Sequence, residues 1–181
     1  MNSAQCNTFM ARQKEAIGQI KGQISAMKGL QTALQNGTKL TGAQQQLSNR
    51  LNAYVGPKAG SNPGTIGSVI KAGLSMLSGL QGNRSFQASP TANGTDYATN
   101  NRLLGGKLYP SFFAASPSMQ TQIVAHESGH ETPGVVDRRY ENGPGPYGDA
   151  NARAIARYGP DQSLRNADNL AFAFGFQRDD D

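Results

Sequence analysis

A stripe of apolar side chains from about residue 4 to residue 35 constrains the fold more than any other feature. The apolar residues recur at alternating intervals of three and four, which places them on one face of an α-helix. A helix of this length needs a packing partner along most of its face, so we expect a largely helical protein. The stripe consists of Met10, Ile17, Ile20, Ile24, Met27 and Leu34, with Gln13 and Gln31 between them.

A second helix should follow closely. Asn36-Gly37 tolerates positive φ angles and favours the end of the first helix. Thr41 and Gln44 resemble a capping box that opens the next one. Two stripes joined by a short turn predict an antiparallel hairpin, which more often serves packing, partner binding or export than chemistry. The second stripe contains Leu40, Leu47, Leu51 and Tyr54.

The next segments are shorter. Residues 56–64 have the Gly- and Pro-rich composition of a linker. Apolar residues between 66 and 80 form a third helical stripe, and residues 82–101 are expected to form an irregular loop. Lys107–Phe113 reads as a short strand, with its proline near the strand end.

Helix signals return after residue 115. Ser116-Pro117 predicts a helix start, with serine as the cap and proline in the first turn. That helix should carry Gln122–His130 and end before Pro133-Gly134. After a glycine-rich loop, Asp149 is expected to cap another helix, and Asp161 to open the last one.

Charge is unevenly spread along the chain. The net charge is +5, but residues 1–95 carry nine Lys and Arg against Glu15 alone, whereas residues 96–181 carry eight against eleven acidic residues. A basic half can meet nucleic acid, an anionic membrane or an acidic partner. Its aromatic residues are too isolated for a base-stacking platform. We therefore favour a solvated helix surface over a nucleic-acid partner.

Cys6 is the only cysteine, so the chain has no internal disulfide and a reducing folding compartment is expected. The N-terminus lacks the charged start, apolar run and cleavage site of a signal peptide. No stretch approaches the ~20 apolar residues of a membrane-spanning helix. We therefore expect neither a secretory signal nor a transmembrane segment.

The two histidines of the chain, His126 and His130, lie four residues apart in a predicted helix. Side chains at this spacing project from one helix face and can bind one metal ion. Neutral imidazole suits Zn²⁺ at a distance of about 2.0–2.1 Å. Glu127 is placed to take a proton from zinc-activated water rather than to bind the metal. The pattern predicts a catalytic zinc centre with Glu127 as the general base.

Catalytic zinc usually has three protein ligands and one position for water. A third histidine does not exist here, so another residue type must complete the set. Asp137 is favoured because Pro133-Gly134 can turn the chain back beneath the helix, whereas Glu131 points away from the face of His130. The carboxylates considered are Glu131, Asp137, Glu141, Asp149, Asp161 and Asp168.

The segment after the histidines resembles the aspzincin metalloendopeptidases, which include the deuterolysin-like and lysine-specific enzymes. That family joins His-Glu-x-x-His to Gly-Thr-x-Asp-x-x-Tyr-Gly. Here Gly134, Asp137 and Tyr140 match, while the threonine and the last glycine do not. The resemblance implies that Asp137 binds zinc and that Tyr140 donates a hydrogen bond to the oxyanion, worth roughly 3–4 kcal/mol. Tyr147 competes with Tyr140 for that role.

A second block, Asn166-Ala167-Asp168, is similar to an Asn-Ala-Asp sequence of the same family. It implies that Asp168 lies near the site as support for a ligand, as part of the substrate pocket, or as a rival third ligand. The resemblance covers residues 105–176 and does not extend to residues 1–95. The lone cysteine differs from the disulfide-bearing fungal members, which favours a bacterial relative.

Together these features predict a predominantly helical α+β protein of the zincin type with a small sheet, preceded by a helical hairpin. An N-terminal helical region at 1–81 is followed by a loop at 82–95, a catalytic core at 96–178 and an acidic tail at 179–181. The expected activity is hydrolysis of peptide bonds in a protein or peptide substrate, with Zn²⁺ as cofactor.

Three other functions stay open. In one, the basic half binds nucleic acid, and the affinity should then fall steeply as salt is added. The same zinc chemistry can act on cell-wall peptides, or the chain can be a non-enzymatic helical adaptor with structural zinc or none. The helical leader and the missing signal suggest a bacterial effector toxin that resides in the cytoplasm before export by a specialised secretion system. The N-terminal helices would then contact the secretion machinery or an inhibitor.

Overall fold

The computed structural model describes residues 1–82, 86–91, 97–101, 105–139 and 147–176. The described chain is predominantly helical and contains a small three-stranded sheet, which confirms the predicted fold class.

The N-terminal stripe forms one helix, α1, over Ser3–Gln35. The side chain of Asn2 accepts the backbone N–H of Gln5, whose own side chain accepts the N–H of Asn2. Asn36 caps the C-terminal end, and Gly37 follows with a φ of +62°, as the Asn-Gly signal predicted. Of the predicted stripe, Ile20, Ile24 and Met27 are buried and Ile17 and Leu34 are half-buried, whereas Met10 is exposed. The other buried residues of α1 are Phe9, Ala16, Leu30 and Ala33.

Two further helices pack against α1. Helix α2 spans Gly42–Tyr54 and begins with the predicted capping box between Thr41 and Gln44. Helix α3 spans Pro63–Gln81 and begins after an asparagine cap, with proline in its first turn. The linker between them includes one 3₁₀ turn at Ala59–Ser61.

Three short strands form the sheet, in the order β1-β3-β2. They are β1 at Phe86–Ala88, β2 at Ala98–Asn101 and β3 at Gly105–Leu108. Strand β3 pairs in parallel with β1 and antiparallel with β2. The expectation of an irregular loop over residues 82–101 was therefore wrong for two segments. Both are too short to show an alternating pattern and are held by pairing with β3.

The predicted strand at Lys107–Phe113 is a strand only at its beginning. Strand β3 ends at Leu108, and Pro110–Ala114 form a short helix, α4. Pro110 cannot donate a hydrogen bond to a strand ladder, and its fixed φ suits the first helical position. The chain therefore changes from strand to helix at this proline.

Helix α5, Pro117–Gly129, carries the paired histidines. The hydroxyl of Ser116 accepts the backbone N–H of Met119 at 3.2 Å, so the predicted serine cap is present. Helix α5 packs against α1 and α3, and every residue from Met119 to Gly129 is buried.

Three short helices complete the described chain: α6 at Asp149–Ala156, α7 at Pro160–Ser163 and α8 at Ala167–Ala173. Two expectations need correction. Gly148 rather than Asp149 is the N-cap of α6. The single last helix expected from Asp161 is divided, because Asn166 is extended and pairs with Val136 in a parallel bridge.

One apolar core joins the N-terminal helices to the C-terminal half. Helix α5 packs against both α1 and α8. A Cβ atom added to Gly73 of α3 would meet the ring of Phe174 at 2.3 Å, so glycine permits this close contact. This core contains residues from both sides of the segment 82–95, which was expected to separate two regions. The separate roles assigned to residues 1–81 and 96–178 stay predictions. Within the described ranges, none of the helices is long and apolar enough to span a bilayer.

Candidate metal centre

The paired histidines lie at the C-terminal end of α5, one helical turn apart. The ring centroids of His126 and His130 are separated by 5.2 Å. Helix α5 is buried against α1, α3 and α8, which fixes its rotation about its own axis. The two imidazoles therefore share one side of the helix, as their four-residue spacing requires.

The loop after α5 brings Asp137 to the imidazoles. Gly134 has a φ of +80°, a conformation that favours glycine, and the chain turns there. Asp137 Oδ1 lies 3.0 Å from His126 Nε2 and 3.4 Å from His130 Nε2. The structure thus brings together the three residues that the sequence proposed as metal ligands.

The geometry of this group suits a metal ion. Among the described residues, one ligand atom from each of His126, His130 and Asp137 lies within 4.8 Å of the others. Ligands at ~2.0–2.1 Å from one tetrahedral zinc ion are about 3.3 Å apart. The observed carboxylate–imidazole separations of 3.0 and 3.4 Å bracket that value. Two imidazoles and one carboxylate are also a donor set that zinc accepts.

Asp168 lies at the opposite edge of the His126 ring. Its Oδ1 is 2.6 Å from His126 Nδ1, and its Oδ2 accepts the backbone N–H of Gly148 at 2.7 Å. Only 1% of Asp168 is exposed. A proton on Nδ1 bonded to Asp168 leaves Nε2, which faces Asp137, to bind a metal. The geometry therefore favours a supporting role for Asp168 over direct coordination.

The pKa values of the three proposed ligands are linked. Burial lowers the pKa of His126, but hydrogen bonds with Asp137 and Asp168 outweigh burial and raise it well above 6.5. Burial likewise opposes protonation of His130, yet its bond with Asp137 raises its pKa. Burial raises the pKa of Asp137, whereas both imidazoles pull it below its usual range. A divalent cation would replace the imidazole protons in this cluster.

Glu127 is buried beside the histidines on α5. Burial raises the pKa of its carboxyl, and the charges of His126 and His130 oppose that rise. A carboxyl with a raised pKa is suited to take up and return a proton near neutral pH. This is the property that the predicted general base needs.

No model of a known protein family matches this sequence, and no curated protein matches it. The fold is similar to that of a zinc peptidase from Grifola frondosa. The TM-score is 0.67, the similarity covers 96% of each chain, and 24% of the residues are identical. The similarity thus extends beyond residues 105–176 into the N-terminal helices, and at this identity it describes the fold.

The expected oxyanion donor, Tyr140, lies outside the described residues. Its competitor Tyr147 lies close to the centre. The ring centroid of Tyr147 is 5.7 Å from that of His126, in an edge-on arrangement. Its hydroxyl donates to Asp137 Oδ2 at 3.4 Å, and 45% of the residue is exposed. Tyr147 therefore lies at the solvent-facing side of the proposed ligands.

Other carboxylates considered from the sequence have different surroundings. Asp149 accepts a hydrogen bond from Tyr54 of α2. Glu131 packs beside Gly79 of α3, and Asp161 is exposed on α7. Glu141 lies outside the described residues. In the described part of the chain, Asp137 is the carboxylate that faces both imidazole Nε2 atoms.

Gly148 is a part of the centre that was not expected from the sequence. Its backbone N–H holds Asp168, and its φ of +97° is a conformation that favours glycine. A glycine directly before a predicted helix was the available signal. The neighbouring Asp149 gave a stronger capping signal and concealed it.

Proposed function

We propose that the protein is a zinc metallopeptidase that hydrolyses peptide bonds in protein or peptide substrates. The observation that carries the proposal is the convergence of His126 Nε2, His130 Nε2 and one oxygen of Asp137. The similarity of the fold to a zinc peptidase supports zinc as the metal and a peptide as the substrate.

The proposed zinc ligands are His126, His130 and Asp137. Zinc bound there would supply a Lewis acid that polarises the scissile carbonyl group and acidifies water. Asp168 would keep the His126 proton on Nδ1 and thereby present Nε2 in the form that binds metal. Three protein ligands are the number typical of catalytic zinc sites.

Glu127 is proposed to move the proton. Its carboxylate takes a proton from water as the water oxygen attacks the scissile carbonyl carbon. It then gives that proton to the amine nitrogen as the carbon–nitrogen bond breaks. The pKa raised by burial supports both steps, because it brings the carboxyl closer to the pH at which it must accept and donate.

Tyr140 is proposed to donate a hydrogen bond to the developing oxyanion, on the strength of its place in the matching motif. Tyr147 remains the alternative donor, since its ring lies beside His126. The hydroxyl of Tyr147 bonds to Asp137, so this tyrosine can instead help to orient the carboxylate.

Hydrolysis of casein by the zinc-loaded protein tests the proposal. A chelator should abolish the activity and added Zn²⁺ should restore it. Glu127→Ala should keep zinc binding but lower kcat by about 10²–10⁴-fold, because the proton transfer is lost. Asp161→Ala, which removes an exposed carboxylate from α7, serves as the control and should hydrolyse casein like the parent.

Unchanged hydrolysis by Glu127→Ala would refute this mechanism. An inactive parent with a closed four-ligand site, or with no metal, would favour the helical adaptor instead. Digestion of purified peptidoglycan in place of casein would assign the same chemistry to cell-wall peptides.

The finer proposal of an exported bacterial effector is supported by the organisation of the sequence alone. In that proposal the N-terminal helices contact the secretion machinery or an inhibitor. Equal release of the protein by a secretion-deficient bacterium and its parent would contradict it.

A further inference from the structure

The backbone on either side of Asp137 is held by the segment that precedes α8. The N–H of Val136 donates to the carbonyl oxygen of Arg165 at 3.0 Å, and the N–H of Ala167 donates to the carbonyl oxygen of Val136 at 3.3 Å. This short parallel bridge fixes the residue before the proposed ligand.

Side chains fix the residue after the ligand. The N–H of Arg138 donates to Asn166 Oδ1 at 2.8 Å, and the carbonyl oxygen of Arg138 accepts Asn151 Nδ2 at 2.9 Å. Asn151 and Asn166 are each only 1% exposed. Two buried amides therefore bind both polar groups of the peptide backbone at this residue.

The orientation of the amide groups follows from their partners. Asn166 must present its oxygen to the N–H of Arg138, so its NH₂ group faces Asn169 Oδ1 at 2.6 Å. Asn169 then presents its own NH₂ group to two carbonyl oxygens, at 2.6 Å on Tyr54 and 2.7 Å on Ala152. In this chain of hydrogen bonds, from Arg138 through Asn166 and Asn169 to Tyr54, each donor meets an acceptor. The oxygen and NH₂ group of each amide therefore have one orientation that satisfies all the bonds.

This chain of hydrogen bonds reaches the C-terminal end of an N-terminal helix. Tyr54 is the last residue of α2, and the carbonyl groups in the last turn of a helix lack partners within the helix. Asn169 supplies such a partner in the buried interior. The end of α2 is thus connected through Asn169 and Asn166 to the residue next to Asp137.

We propose that Asn166 and Asn169 are positioning residues that set the place of Asp137 for metal binding, with the C-terminal end of α2 as their anchor. The inference rests on the proposed function and extends it to residues that do not touch the metal. It gives the N-terminal helices a part in the metal centre. The Asp137 side chain is one-third exposed, so burial alone does not fix it, and the amides restrain its backbone instead.

Zinc affinity of the metal-free protein tests the inference. Asn166→Leu removes the acceptor for the Arg138 N–H while roughly keeping the side-chain volume. We expect the affinity for Zn²⁺, measured by competition with a chelating dye, to fall about 10–100-fold, the usual effect of losing a residue that orients a ligand. The absorption spectrum of the Co²⁺-loaded variant should also change, because the carboxylate no longer holds its position.

Gln120→Leu is the matched control. Gln120 is a buried amide of α5 whose Nε2 donates to the carbonyl oxygen of Phe112 at 3.0 Å, away from Asp137. Both variants should lose stability in the metal-free state, but the control should keep its Zn²⁺ affinity within about twofold and keep the parental Co²⁺ spectrum.

Asn169→Ala provides a second test of the inference if Asn166→Leu does not fold. It leaves the bond to Arg138 intact and removes the anchor behind it, so the Zn²⁺ affinity should fall at least several-fold. Parental affinity and Co²⁺ spectrum in the folded variants would overturn the inference alone. A parent that binds no zinc would overturn the proposed function and the inference with it.

Discussion

Each ring nitrogen of His126 faces a carboxylate. Nε2 lies 3.0 Å from Asp137 and Nδ1 lies 2.6 Å from Asp168. In the metal-free protein these contacts raise the pKa of the imidazole, and His130 gains a similar rise from Asp137. Protons and a metal ion therefore compete for the same nitrogen atoms.

We predict that the metal-free protein loses stability as the pH rises above about 6.5. When folding raises the pKa of a histidine, its protonation stabilises the folded state. This stabilisation is complete below the pKa of the unfolded chain, and it is lost as the pH rises through the pKa of the folded protein. The lowered pKa of Asp137 has its effect at acid pH. The stability that this carboxylate contributes is lost as the pH falls below 3.8, the pKa of the unfolded chain. Added Zn²⁺ should raise the melting temperature more at about pH 8 than at about pH 6.

Melting curves with and without Zn²⁺ across this pH range provide the measurement. Asp137→Asn should weaken the pH dependence, because it removes the charge that raises both histidine pKa values. A metal-free parent whose melting temperature rises steadily from pH 6.5 to pH 9 would contradict the prediction.

For single residues, the sequence predicted that His126 and His130 share one face of a helix, with Glu127 next to the first of them, because spacing on a helix determines which side chains share a face. It left Asp137 and Asp168 as rivals for the third ligand. The choice depends on which ring nitrogen each carboxylate faces, and that is set by tertiary contacts. The N–H of Gly148 that holds Asp168 is one such contact. A glycine before a predicted helix indicates a turn, but it does not indicate which carboxylate binds its N–H.

Among the elements, the helix starts with a hydroxyl cap were predicted correctly, whereas the expected cap at Asp149 was not. Thr41 and Ser116 both act as the caps that the sequence indicated, because a hydroxyl that binds an N–H two or three residues on is a local property. The strands β1 and β2 were not predictable. They have three and four residues and are stabilised by pairing with β3 rather than by a pattern of their own.

Thr41→Ala should lower the free energy of unfolding by about 0.5–2 kcal/mol, the usual effect of losing a helix cap. The Thr41 hydroxyl accepts the N–H of Gln44 at 3.3 Å, and Gln44 returns a bond to the N–H of Thr41 at 3.0 Å. Urea unfolding measures the difference. Thr38→Ala, at an exposed position before the cap, is the matched control, and an equal loss in both variants would argue against the capping box.

For the whole molecule, the decisive feature is the continuity of the core. Helix α5 packs against α1, α3 and α8, and Thr121 of α5 donates to Glu15 of α1 at 3.0 Å. The motifs after residue 105 gave no information about residues 1–95. Motif spacing describes residues that are close in sequence, and it does not show which distant elements pack together. The structure shows that α1 and α3 pack against α5, the helix that carries the histidines.

A fragment of residues 96–181 should therefore fail to fold alone. It would expose the side of α5 that α1 and α3 cover, and a small domain cannot lose that much buried apolar surface and remain stable. Circular dichroism and thermal unfolding of the fragment provide the test. Cooperative unfolding together with stoichiometric zinc binding would show that the segment is an independent catalytic core.

The zinc content of the purified protein tests the central claim most directly. Elemental analysis should find one zinc ion per chain in the parent, weaker but detectable binding in Asp168→Ala, and loss of stable binding in Asp137→Ala. A parent without metal would contradict the account. Zinc kept by Asp137→Ala and lost by Asp168→Ala would equally contradict it, because the two carboxylates would then have exchanged roles.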